Sequence, residues 1–69
     1  LTARQLDVLR LLCAGKPNKV IARDLGLSEN TVRVHVAAIF GQLGVNSRSA
    51  ALLAAQRMGL VAAPSHDIA

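Results

Sequence analysis

Asn30, Arg33, Val34, Ala37 and Gly41 recur at helical spacing within one stretch of the chain, so a helix there gathers them on one face. A solvated helix face normally carries Glu, Lys, Gln and Arg. Small and apolar side chains suit a helix that lies close in a groove, where arginine can pair with the O6 and N7 edge of guanine. Valine and alanine can touch a thymine methyl in the same groove. The plainer alternative is a surface with incidental apolar residues. Phosphate chemistry calls for short polar groups and backbone amides at helix starts, where the helix dipole favours an anion. Asn18, Lys19, Ser28, Thr31 and Arg48 occupy such places. Ser28 alone is explained as a cap and Lys19 alone as a solvated lysine; the combination points to a polyanion.

Other chemistries find no support. The acids Asp7, Asp24, Glu29 and Asp67 are scattered, so no paired-carboxylate site exists. Cys13 falls on the apolar side of a helix, where its thiolate is disfavoured. As the single cysteine it forms no intramolecular disulfide and builds no four-cysteine zinc site. His35 lies at the edge of a buried stripe and His66 is far from it in the tail, which gives no metal site. No glycine-rich phosphate loop follows a strand. The expectation is a protein that is not an enzyme, with no catalytic residue, cofactor or metal.

Four helices must position these residues. Thr2-Ala3-Arg4-Gln5 reads as a capping box, with Leu1 and Leu6 at the staple positions. Leu6, Leu9, Leu12 and Cys13 follow at helical spacing until Gly15 stops a helix placed at 3–14. Pro17, taken as a first-turn proline, and Asn18 open a second helix of about two turns, ended by Gly26. The tight connection to Ser28 makes the pair a helix-turn-helix. Ser28 caps a third helix between staple residues Leu27 and Val32. Val32, Val36, Ile39, Phe40 and Leu43 form its buried stripe. Gly44 closes it, and Asn46 or Ser47 begins a fourth helix running to about Met58. A second helix laid across the start of a third is the arrangement that docks in the major groove.

Composition agrees with this architecture. A chain of 69 residues supports one core, and with 52% hydrophobic but 1% aromatic residues, Phe40 alone, that core is built from Leu, Val, Ile and Ala. Eight basic against four acidic residues give a formal charge of +4, the balance of a chain that meets polyanions. No apolar run is long enough to cross a bilayer and no signal peptide is visible, so a cytoplasmic, soluble protein without a membrane partner is expected. A first residue that is not methionine suggests a fragment. The expected division is a DNA-binding domain at 1–61 and a flexible tail at 62–69.

Leu1-Thr2, Gly15, Asn18-Lys19, Ile21-Ala22, Leu25, Ser28, Thr31-Val32, His35, Ile39, Leu43, Val45 and Arg48 follow one another in a specific order. In that order they resemble the LuxR/FixJ/NarL-type helix-turn-helix of bacterial transcription regulators, over Leu1 to about Leu60. The resemblance implies an all-α, four-helix domain that binds double-stranded DNA, usually at the C-terminus of a response regulator or ligand-sensing activator. It implies that Arg33 reaches bases with Val34 and Ala37 beside it; Asn30, from its place on the same outward face, joins the expected base-reading set. Asn18, Lys19, Thr31, His35 and Arg48, with Ser28, look like the set that anchors the DNA backbone. Four positions depart from the family's pattern. Gln5 stands where Glu is typical, Pro17 replaces a serine cap, and Ala38 stands where Asn is common. Gln42 replaces a common lysine, which implies a lost phosphate contact and a weaker single copy.

The fourth helix is apolar on two sides. Ala51, Ala55 and Met58 are expected toward the core, while Ala50, Leu53, Ala54 and Arg57 face away. Small alanines permit close helix approach, and the resemblance implies dimers on paired half-sites. A weak homodimer strengthened on DNA is therefore expected, with RNA polymerase a further candidate partner. The rivals are a sigma-factor region-four-like promoter-binding domain and a helical protein-interaction module that has lost DNA binding.

Overall fold

The computed structural model describes residues 1–61; the expected tail, with His66 and Asp67, lies outside the described residues. Four helices follow in order: α1 (Ala3–Cys13), α2 (Asn18–Leu25), α3 (Glu29–Leu43) and α4 (Arg48–Arg57). Local chemistry sets most of their ends. The Thr2 hydroxyl accepts from the Gln5 amide at 3.1 Å and the Gln5 side chain accepts from the Thr2 amide at 3.0 Å, the reciprocal cap expected for α1. Ser28 and Ser47 cap α3 and α4 by accepting from the amides of Thr31 and Ala50. The α2–α3 turn depends on Gly26 at φ +68°, a left-handed conformation that side chains resist. With Gly26 so turned, the Leu27 amide donates to the Ala22 carbonyl at 2.8 Å, and the chain reverses in three residues.

Three expectations are corrected. Pro17 is the N-cap of α2 and not its first helical residue: its backbone is extended, at ψ 161°, and its carbonyl accepts from Val20 and Ile21. Proline has no side-chain acceptor, so this cap carries no side-chain hydrogen bond. Met58 is not a core residue. It is the C-cap of α4 and is 60% exposed, at the rim of a groove lined by Leu1, Leu6, Gln42, Leu43 and Leu60 that does not cover it. The first helix also ends one residue early, with Ala14 as its cap.

The core is aliphatic, as composition required. Val8, Leu9 and Leu12 from α1, Ile21 and Ala22 from α2, Val32 and Ile39 from α3, and Ala51 and Ala55 from α4 are buried. Val36, Phe40 and Leu43 pack half-buried against that cluster, so the α3 stripe faces inward along its length. No polar or charged residue is buried among the described residues. α3 packs against α1, α2 and α4, and α4 against α1 and α3. Among the described residues no helix is long and apolar enough to cross a membrane.

Candidate nucleic-acid interface

With Val32 and Ile39 fixed in the core, the opposite side of α3 must face outward. Asn30, Arg33, Val34, Ala37 and Gly41 are all exposed, Val34 by 61%. A valine so exposed gains nothing from water, and its neighbours Asn30 and Arg33 supply hydrogen-bond donors beside it. Glu29, the first residue of α3, is also exposed and complements the helix dipole.

At the head of α3, Ser28 Oγ accepts from the Thr31 amide at 3.0 Å and donates to Thr31 Oγ1 at 2.9 Å. Thr31 Oγ1 is thereby an acceptor, and its own proton has no acceptor among the described residues. Ser28 is exposed, whereas Thr31 and His35 are half-buried at the boundary between the two sides. Lys19 is exposed in the first turn of α2, beside half-buried Asn18. Among the described residues the ion pairs are Arg4 with Asp7 at 3.8 Å and Arg23 with Asp24 at 3.6 Å, both at the surface. Lys19 and Arg33 have no carboxylate partner there. Burial pushes the Cys13 thiol up, which disfavours its thiolate.

Three side-chain hydrogen bonds cross the fold, made by two residues. Arg48 donates from Nη1 to the Lys16 carbonyl at 3.2 Å and from Nη2 to Asn18 Oδ1 at 2.8 Å. Gln42 donates from Nε2 to Gln5 Oε1 at 3.1 Å, across 37 residues of chain. Gln42 is therefore turned toward the start of α1. The α4 set is divided: Leu53 is 54% exposed and Arg57 exposed, while Ala50 and Ala54 are half-buried.

Comparison with known proteins places this arrangement among relatives. Residues 1–55 match the family model described as bacterial regulatory proteins, luxR family. The chain is 46% identical over 48 residues to the nitrate/nitrite response regulator NarL of Escherichia coli, covering 70% of this chain and 22% of that protein. It is 44% identical over 59 residues to the spore germination protein GerE of Bacillus subtilis, covering 86% of this chain and 80% of that one. The transcriptional regulatory protein YdfI of Bacillus subtilis matches at 39% over 61 residues, with 29% of its length covered. Apart from GerE, these relatives are several times longer than the matched segment. Among solved structures, response regulator ChrA of a heme-sensing two-component system superposes with a TM-score of 0.85 at 39% identity, covering 88% of this chain and 30% of that one. The structure of GerE gives 0.80 at 38%, covering 87% and 90%.

Proposed function

The chain belongs to the LuxR family of bacterial regulatory proteins, as its helix-turn-helix DNA-binding domain, and we propose that α3 enters the major groove with Arg33 reading a guanine edge. Asn30, Val34 and Ala37 complete the reading face, and Asn18, Lys19, Ser28, Thr31 and His35 anchor the phosphates on either side. The observation that carries this reading is the outward side of α3: exposed small and apolar residues around Arg33, opposite a stripe that holds the helix in the core. Such a face is a poor solvent surface and a good groove surface. The work is binding and not catalysis, in the cytoplasm, as the output domain of a two-component response regulator. The names of NarL and ChrA support that last assignment.

Pairing of copies is proposed through Ala50, Leu53, Ala54 and Arg57 of α4. The patch is small, and association must overcome several kcal/mol of lost freedom. The domain is therefore expected to be largely monomeric alone and to pair when two half-sites hold copies together.

Selection from a random duplex library, followed by affinity measured over a salt series, tests the reading. A recovered sequence and a steep fall of log affinity with log salt are expected, because phosphate contacts release counterions. Lys19→Ala should lower affinity for all sequences and flatten that slope by about one unit. A domain that enriches no sequence and shows no salt dependence is instead a helical protein-interaction module.

A further inference from the structure

Among the described residues α2 and α4 do not pack against each other, yet a single guanidinium joins their N-terminal ends. Arg48 is the first residue of α4, and its two acceptors, the Lys16 carbonyl and Asn18 Oδ1, flank Pro17. Pro17 is the cap that has no side-chain bond to offer α2. A serine or aspartate at that position would satisfy the helix start locally. Here the start of α2 is held from outside, by a side chain 30 residues away.

The electrostatics of this tie are unusual. It brings a cation to a helix N-terminus, where the dipole is already positive, in a segment that itself carries Lys16 and Lys19. A device for stability alone would put an acid or a hydroxyl there. The arrangement makes sense if the cluster meets an anion. Arg48 directs two of its donors to neutral oxygens of its own chain, and they hold the 16–19 segment in place.

We propose that Arg48 is a positioning residue for DNA binding: it fixes the start of α2, with Lys19, against the phosphate backbone and does not itself contact a phosphate. The inference rests on the DNA-binding reading above and departs from the sequence expectation that Arg48 is one of the phosphate contacts. It also makes the start of α2 move with α4, the helix proposed to pair copies.

Arginine and lysine separate the two roles. A planar fork can bridge two acceptors at fixed positions, whereas an ammonium is a point charge that cannot bridge them but still attracts a phosphate. Arg48→Lys and Arg48→Met are compared with the parent domain on a duplex carrying one selected half-site, over a salt series. Circular dichroism at the assay temperature fixes the folded fraction. Positioning predicts that both variants lose roughly three- to tenfold in affinity, the size of one or two lost hydrogen bonds. Their lines of log affinity against log salt should coincide with each other, because either substitution frees the 16–19 segment to the same extent. Overturning results are parent-like binding by Arg48→Lys together with a slope reduced by about one unit in Arg48→Met, which mark a direct phosphate contact. Loss of helicity in Arg48→Lys also overturns the proposal, since it makes Arg48 a residue of the fold alone. A parent domain that binds no duplex shows the failure of the underlying reading, and this is seen before any variant is compared.

Discussion

α3 and α4 each follow a serine cap and each turn a large apolar residue outward, Val34 at 61% and Leu53 at 54% exposure. Their surroundings differ. Val34 lies among Asn30, Arg33, Ala37 and Gly41 on a helix of 15 residues, whose inner side buries Val32 and Ile39. Leu53 lies among half-buried alanines on a helix of 10 residues that buries only Ala51 and Ala55. The first face offers directional donors suited to base edges; the second offers mainly small apolar side chains around Leu53. An exposed apolar residue therefore does not define its partner. The donors around it do.

The comparison breaks most easily at the inner side of α3. Ile39→Ala should cost about 2–5 kcal/mol, because Ile39 is fully buried and its loss leaves a cavity. For so small a domain that approaches the whole stability, and urea or thermal melts followed by circular dichroism will show it. If the loss were under about 0.5 kcal/mol, α3 would not be anchored as described.

Substitutions on the two outer faces should have separable effects. Arg33→Ala is expected to weaken specific binding by about 1–3 kcal/mol and to relax base preference at one position per half-site. An unaltered preference in a binding-site selection would move base reading away from Arg33. Leu53→Glu should leave helicity and single half-site binding intact while removing cooperative occupancy of paired half-sites. Its effect is about 1 kcal/mol, since Leu53 is already half covered and complete leucine burial is worth roughly 1.5–3 kcal/mol. In a two-fold contact the new carboxylates of both copies would face each other. Retained cooperativity would place the pairing surface elsewhere.

Gly41→Ala should have the smallest effect and the opposite sign. A Cβ at Gly41 meets nothing within 4 Å, so alanine should raise stability by about 0.5–1 kcal/mol through helix propensity. Half-site affinity should not change, because recognition helices contact bases mainly through their N-terminal residues. A drop in affinity would extend the contact face of α3 toward its C-terminal half.

Much of this fold was legible because its signals are local. The Thr2–Gln5 box, the Ser28 cap and the Gly26 turn each close within five residues, and the α3 stripe follows from helical period. The outward set of α3 was legible for the same reason, being the complement of that stripe. Met58 was misplaced because helical period gives the side on which a residue falls and not whether another element covers it at the end of the helix. Pro17 was misplaced by one position, from first helical residue to cap, a distinction that rests on a single ψ angle.

The sequence by itself determined the helices, the aliphatic core and the residue types offered to a partner, since caps, period and charge are properties of short segments. Tertiary structure alone decided which distant polar groups meet. Gln5 and Gln42 looked like two independent departures from a family pattern of Glu and Lys, yet their side chains are hydrogen-bonded partners. Arg48 stands at a helix start with no sign in the sequence of what it meets, and its guanidinium is bonded to the Lys16 carbonyl and Asn18. Neither pairing could be read from periodicity, because a hydrogen bond over 30 or 37 residues depends on how the helices pack. That packing is set by the shapes of Val32, Ile39 and their buried neighbours, which carry no record of which polar side chains they bring together.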